Sequence, residues 1–494
     1  MMARSQEIEL KLAFPAHDPA RLAKRLAQIP LLVRRKPTHL HLHNVYFDTP
    51  EQVLCQARVA LRIRRVGSDA KPQWLQTLKT GDRGDSALSQ RGEWEVPVPD
   101  AKLDLKALQQ TPWKQIDPDG ALFQALAPIF STRFDRTIWL VRKRDGSAVE
   151  VALDLGQIEA SGMTSPICEL ELELLAGTPA ALFDIAQQIA GTVAVLPANM
   201  SKAERGYALA HGCLDKPLRA EPPKLTAKLP LPEATQRVLR EMFCQFTTNL
   251  GLLRSADNPE VVHQARIGWR RFKSALRLFK IALTAEPMPS WQSLQPLLSL
   301  LGEVRNLDVI RTETLPPLAA AYAAGEARRA HAWRGMELAL TQLSIQRREL
   351  ARQALQQLAV GAALLEITQW LEGLTRLMAP GDLAPEPKVS LRGWARRRIA
   401  RLHDRLQLAL NDTGDPDRQH RARIIAKRMR YSIEALQPLL PRKLSQRWHE
   451  QAASLQLSIG ATRDVVQAIA LVAKLEIEPG IMEFLRGVAA GREK

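Results

Sequence analysis

Near the amino terminus, Glu7-Ile8-Glu9-Leu10-Lys11 sets two carboxylates and an ammonium at alternate positions. In an extended strand these three share one face, while Ile8, Leu10 and Leu12 share the other. The arrangement recurs. Arg62 and Arg64 oppose Leu61 and Ile63, Lys79 ends WLQTLKT, Arg91, Glu93 and Glu95 alternate in RGEWEV, and Glu169, Glu171 and Glu173 alternate in CELELELL. Carboxylates two residues apart on two strands can hold hard divalent cations, which prefer oxygen ligands. Guanidinium groups grip phosphate oxygens in bidentate fashion, and ammonium groups act as point charges. Together the two sets suit Mg²⁺ or Mn²⁺ and a linear polyphosphate. One metal would screen the phosphate oxygens, and a second metal or a glutamate base would activate water for in-line attack.

A second constellation lies downstream. His263-x-x-Arg266-x-x-x-Arg270-Arg271-x-Lys273 returns 157 residues later as His420-x-x-Arg423-x-x-x-Lys427-Arg428-x-Arg430. At about 100° per helical residue, His263, Arg266, Arg270 and Lys273 fall within an arc of about 60°, with Arg271 flanking them. His420, Arg423, Lys427 and Arg430 form the same stripe, flanked by Arg428. Arg392, Arg396, Arg397, Arg398, Arg401 and Arg405 make a further basic helix. Such stripes repel themselves and favour an anion between them, and each histidine can change charge near neutral pH. LGEVRNLDV (301–309) is likewise echoed by SIGATRDVV (458–466), which points to a duplicated bundle.

The elements that must carry these residues are written in two periods. The 494-residue chain has room for two or three domains at about 150 residues each. Up to about residue 213 it alternates with a period of two, as in VALRIRRV, RTIWLVRK and AVEVALDLG, with helices expected at 18–29 and 179–191. Pro217, Pro222, Pro223, Pro230 and Pro232 then break regular structure, and beyond them the period is helical. The expected class is α+β: domain 1–213, a proline-rich linker at 214–232, and an all-α domain at 233–494. The proline-broken APGDLAPEPK divides the last into repeats at 233–378 and 389–494.

The strand pattern is inverted, because the ordered charges recur on one face of strand after strand. A single such strand reads as well as a solvated edge; five with the same inversion do not. If the sheet closes on itself, these faces line a polar lumen and helices cover the apolar outside. Enclosed charges are tolerated only when paired with each other, with metal or with ligand.

Composition narrows the partners. The net charge of +17 favours a polyanion, whereas only 5% aromatic residues leave little for base stacking, so nucleic acid is disfavoured. The four cysteines are scattered without a CxxC pair, and no apolar run approaches the ~18 residues of a membrane span. A cytoplasmic protein with no membrane partner is expected.

Glu7-Ile-Glu-Leu-Lys11 resembles the ExExK signature of the CYTH superfamily, the triphosphate tunnel metalloenzymes. YFDTP (46–50), LRIRR (61–65), TLK (77–79), RGEWE (91–95), Arg133, Asp154 in ALDLG, CELELE (168–173) and SKAERGY (201–207) follow in the family's order. The resemblance covers nearly all of residues 5–212. It implies an eight-stranded antiparallel β tunnel with Glu7, Glu9, Asp154, Glu169 and Glu171 about Mg²⁺ or Mn²⁺. Lys11, Arg62, Arg64, Lys79, Arg133, Lys202 and Arg205 would hold phosphate, and Lys11, Glu7 or Glu9 would position or deprotonate water.

The downstream motifs resemble the CHAD domain, the conserved histidine α-helical domain, over roughly 225–494. That resemblance implies two pseudo-symmetric helical bundles and binding of inorganic polyphosphate by the two histidine-led stripes. Asn306 departs from the family's usual Asp, which Asp464 keeps. The joint expectation is an inorganic triphosphatase that hydrolyses tripolyphosphate. The alternatives are an adenylyl cyclase, a thiamine triphosphatase, or a non-catalytic polyphosphate-binding module.

Overall fold

A computed structural model of the chain describes residues 6–15, 18–67, 72–81, 86–283, 287–374, 390–410, 416–458, 460–475 and 477–492. The described residues form two compact units. The first is Met1–Pro217 with Leu250–Ala256 and Leu355–Glu372, and the second is Leu218–Asn249, Asp257–Ala354 and Gly373–Lys494. The break expected at 379–388 lies outside the described residues.

Among the described residues the first unit is built on ten strands: β1 (Glu7–Ala13), β2 (Thr38–Asp48), β3 (Val59–Val66), β4 (Gln73–Thr80), β5 (Leu88–Arg91), β6 (Glu93–Val98), β7 (Ala127–Arg142), β8 (Ala148–Ala160), β9 (Met163–Ala176) and β10 (Leu196–Pro197). Every pairing is antiparallel, in the order β10-β1-β9-β8-β7-β2-β3-β4-β6. Gly92 alone separates β5 from β6. β5 pairs with β1 (Glu7↔Arg91, Glu9↔Ser89) and β6 with β4 (Thr77↔Glu95, Lys79↔Glu93). The run 88–98 thus joins the two ends of the sheet, and hydrogen bonding closes around eight antiparallel staves. The expected strands are present. β2, β5, β10 and the first half of β7 are additional.

Burial shows which face points where. Leu10, Leu12, Trp139, Val141, Val149, Val151, Leu153, Leu170 and Leu172 pack outside the barrel with Leu22, Leu26, Leu182, Ile185 and Ile189. Those last five come from the helices Pro19–Ala27 and Ala180–Ala190, the first capped by Asp18, whose carboxylate accepts from the Arg21 N–H at 3.1 Å. Burying these leucines and isoleucines stabilises the unit by about 1.5–3 kcal/mol each and fixes the apolar faces outward. The ionic faces must then turn inward.

The helix Lys202–Ala210 begins with a Ser201/Glu204 capping box and enters the barrel. Tyr207 packs edge-on to Phe130 at 5.1 Å, and Phe130 stacks on Tyr46 at 4.4 Å. A Cβ at Gly206 would lie 2.1 Å from the Phe130 ring, so only glycine permits this approach.

The helix Leu358–Gly373, within the segment expected to form the first helical repeat, packs instead on the barrel's apolar exterior. Leu365 is fully buried in that core, Gly361 backs onto the Val195 carbonyl, and Glu372 accepts from the Ser86 hydroxyl at 2.6 Å.

The second unit is helical. Its Pro259–Leu278 and Pro416–Leu436 helices carry the two histidine-led stripes and pack against each other. No helix among the described residues is long and apolar enough to cross a membrane.

Candidate functional site

The inward faces of the staves enclose a cavity of about 680 Å³. Its charges form two connected networks. In the first, Lys79 Nζ lies 2.9 Å from Glu7 and 3.0 Å from Glu93. Arg91 Nε lies 2.7 Å from Glu7, and both Arg91 and Lys11 pair with Glu9. Arg62 stands 3.7 Å from Glu93 and 3.9 Å from Glu95, and Arg64 donates to Asn44 Oδ1 at 2.8 Å. Arg62 Nε and Nη2 are buried without a hydrogen-bond partner among the described residues, an arrangement that fits an anionic guest.

In the second network, Arg136 forks onto both oxygens of Asp154 at 2.7 Å and reaches Glu171 at 2.5 Å. Lys202 Nζ sits 2.6 Å from Asp154 and 2.8 Å from Glu171 and also pairs with Glu169, while Arg205 donates to Glu169 at 3.0 Å. Oxygens of Asp154, Glu169 and Glu171 gather within 4.8 Å of one another. Three hard, acidic oxygen donors at that spacing suit a divalent cation of the Mg²⁺ or Mn²⁺ type.

Pairing sets the protonation states. Burial would raise the Glu171 carboxyl, but Lys202, Arg136 and Lys11 outweigh it and hold it well below the ordinary range. Burial likewise opposes Glu7, yet Lys79 and Arg91 keep its pKa lowered. Glu173 has the opposite balance: burial, reinforced by Glu7, Glu150 and Glu93, pushes it up to about 7. Burial and then Arg62 bring Arg64 down to about 10.

Most sequence-predicted tunnel residues share this space. Glu7, Glu9, Lys11, Arg62, Arg64, Lys79, Glu171 and Lys202 line the cavity, and Asp154, Glu169 and Arg205 join through the second network. Arg133 does not. It is exposed on the outer face of β7, opposite His43 and Gln157. The guanidinium that enters the cavity from this strand is Arg136, and alternation carried the signal: Arg133 shares the parity of Trp139 and Val141, which face outward, and Arg136 does not. Glu150, which no motif named, lines the cavity by the same rule, and Arg91, Glu93 and Glu95 line it as their alternation predicts.

In the second unit the stripe is dense in positive charge. Burial, then Arg270 and Arg305, bring Arg266 down to about 10. Burial with Arg277, Arg270 and Arg266 lowers Lys273, and burial with Arg305 lowers His263. Arg305 and Arg277 are therefore further members that the motif did not name. Arg271 leaves the stripe. It is 1% exposed and bonded to Glu241 at 3.1 Å and Gln245 at 2.6 Å, with Glu434 of the repeat helix at 3.5 Å. Its place beyond the stripe's arc points it into the bundle, where removing a partner of a buried charge costs several kcal/mol.

In the second copy, burial, Arg277 and Arg405 lower Arg428, and Arg430 lies 3.5 Å from Glu434 over the Tyr431 ring. Arg423 and Lys427 are partly buried on the same helix; the side chain of His420 lies outside the described residues.

Comparison with known proteins agrees with this architecture. Residues 5–207 match the CYTH domain model and residues 237–473 the CHAD domain model. An inorganic triphosphatase of Haemophilus influenzae is 35% identical over 206 residues, covering 41% of this chain and 55% of that protein. The chain thus spans about half the length of this curated relative. Among solved structures, the CHAD domain of the plant Ricinus communis is 25% identical, covering 56% of this chain and 91% of that one, with a TM-score of 0.47. A Hippeastrum protein described as an adenylyl cyclase with a dominant triphosphatase activity is 20% identical, covering 41% and 95%, with a TM-score of 0.31. The chain carries a CYTH domain over residues 5–207 and a CHAD domain over residues 237–473.

Proposed function

We propose that the tunnel hydrolyses inorganic tripolyphosphate to pyrophosphate and phosphate with Mg²⁺ or Mn²⁺, and that the basic stripes of the helical unit bind inorganic polyphosphate. The observation that carries this reading is one cavity in which Arg62, Arg64, Lys79, Arg91, Arg136 and Lys202 face the carboxylates of Glu7, Glu9, Glu93 and Glu171. The likeness to an inorganic triphosphatase supports it. Inorganic triphosphate is favoured over a nucleotide because no adenine-recognition element is evident among the described residues and the CHAD resemblance implies a polyphosphate partner.

In this reading a triphosphate displaces carboxylates from the guanidinium and ammonium groups, which then hold its oxygens along the tunnel. Arg62 offers two buried nitrogens, Nε and Nη2, that make no hydrogen bond among the described residues. Asp154, Glu169 and Glu171, with Glu7 and Glu9 on the neighbouring strand, would hold the divalent ion, which supplies charge screening and phosphoryl polarisation. Lys11, hydrogen-bonded to Ser89 at 3.4 Å and paired with Glu9, is fixed to orient water for in-line attack. The water oxygen bonds to a terminal phosphorus, the bridging P–O bond breaks toward pyrophosphate, and a carboxylate of Glu7 or Glu9 takes the proton.

The test is phosphate release by the full chain from tripolyphosphate with each metal. Chelation should abolish it, and Glu9→Gln or Glu171→Gln should slow it by about 10²-fold or more. Full turnover in either variant refutes the tunnel assignment. Cyclic AMP from ATP, or preferred hydrolysis of thiamine triphosphate, would replace the substrate. Salt-sensitive polyphosphate binding without hydrolysis would leave a binding module.

A further inference from the structure

The outer face of β2 carries a feature that the tunnel chemistry does not use. His39, His41 and His43 occupy alternate positions on that strand, with the parity opposite to the inward Leu42, Asn44 and Tyr46. Their register partners on β7 are Thr137, Asp135 and Arg133. His39 Nδ1 lies 3.1 Å from Thr137 Oγ1, and His41 Nδ1 contacts Asp135 Oδ1. The His41 and Asp135 side chains are 77% and 71% exposed, so this is open surface.

We propose that His39 and His41, with Asp135, form a surface site for a borderline d-block cation such as Zn²⁺, Ni²⁺ or Cu²⁺. Three observations carry it. Residues i and i+2 of a strand stand about 6.8 Å apart on one face, which allows two imidazoles to turn toward one ion. A carboxylate only accepts hydrogen bonds, so His41 Nδ1 is the donor of that pair and Nε2 keeps the lone pair that ligates. A carboxylate behind a histidine is also the arrangement that fixes the tautomer of metal-binding imidazoles and raises their basicity. In His39, too, Nδ1 faces the neighbouring strand, leaving Nε2 as the ligating atom.

The site differs in kind from the tunnel. Imidazole selects zinc, nickel and copper, whereas the Asp154, Glu169 and Glu171 oxygens suit hard ions. Among the described residues only that acidic trio already converges within 4.8 Å, so binding at β2 requires rotation of exposed side chains. The inward side of the same strand holds Asn44, bonded to Thr132 at 2.8 Å and to Arg64 at 2.8 Å. An ion bridging β2 to β7 from outside would brace the wall that supports Arg64.

The experiment is calorimetric titration of the full chain with Ni²⁺ in a large excess of Mg²⁺, which saturates oxygen-only sites. Wild type should bind one equivalent that His39→Asn/His41→Asn loses and Asp135→Asn weakens about tenfold. Cu²⁺ at the same site should show nitrogen hyperfine splitting in its electron paramagnetic resonance spectrum, absent in the double variant. Glu171→Gln should bind Ni²⁺ as wild type does, so failure of the tunnel reading leaves this result unaffected. Ni²⁺ binding unchanged in the double variant, or no Ni²⁺ equivalent in wild type, overturns the proposal.

Discussion

Lys202 gives the sharpest test of the electrostatic logic. Its ammonium lies 2.6 Å from Asp154 and 2.8 Å from Glu171 and pairs with Glu169, all within a wall where Asp154 is fully buried. Lys202→Met keeps the side-chain length and removes the charge, leaving three crowded carboxylates to Arg136 and Arg205. Breaking a buried ion pair by deleting one partner costs about 3–5 kcal/mol. At about 2–4 °C per kcal/mol for a unit of this size, the melting temperature should fall by about 6–20 °C in chelator. If those oxygens hold a divalent ion, Mn²⁺ at 100 times its dissociation constant should return about 2.7 kcal/mol and raise the variant more than wild type. Differential scanning calorimetry with chelator and with Mn²⁺ reads both effects. A variant that melts with wild type and gains no more from Mn²⁺ would refute the idea that Lys202 neutralises a cation-binding cluster.

Other outcomes follow from individual residues. Arg136→Lys keeps the charge but loses the fork, so the KM for tripolyphosphate should rise about tenfold or more, while Arg133→Ala should leave it within about twofold. Glu173, raised to about 7, is stabilised in its neutral form, so its contribution is complete below about pH 4.5 and is lost as pH rises through 7. Glu173→Gln should therefore stabilise the fold at pH 8 by at most about 3 kcal/mol, read as a higher melting temperature, and change nothing at pH 4. Leu365→Ala should destabilise the first unit by about 2–5 kcal/mol in thermal melts, whereas Leu338→Ala, at a side chain 67% exposed, should cost under about 0.5 kcal/mol.

The sequence by itself determined which residues share a face. Glu7, Glu9 and Lys11 had to lie together, as did Glu169, Glu171 and Glu173, because strand geometry alternates whatever the fold. It also determined the change from alternation to helical period near the proline-rich segment, and the ordered motifs that marked two families. Arg133 and Arg136 differ in parity, so even their separation was written there, provided Trp139 and Val141 were used to label the outside.

Tertiary structure decided the rest, since those outcomes rest on partners distant in sequence. Alternation does not say which face encloses; closure of β5 and β6 onto β1 and β4 does. Arg271 follows the basic motif, but Glu241, Gln245 and Glu434 draw it into the bundle. Helical period gave 358–373 no address, and the apolar cluster that joins the barrel's outer face to the Ala180–Ala190 helix and Val195 took it up. The Glu173 proton depends on Glu7, Glu150 and Glu93, three carboxylates on other strands that only the barrel brings together.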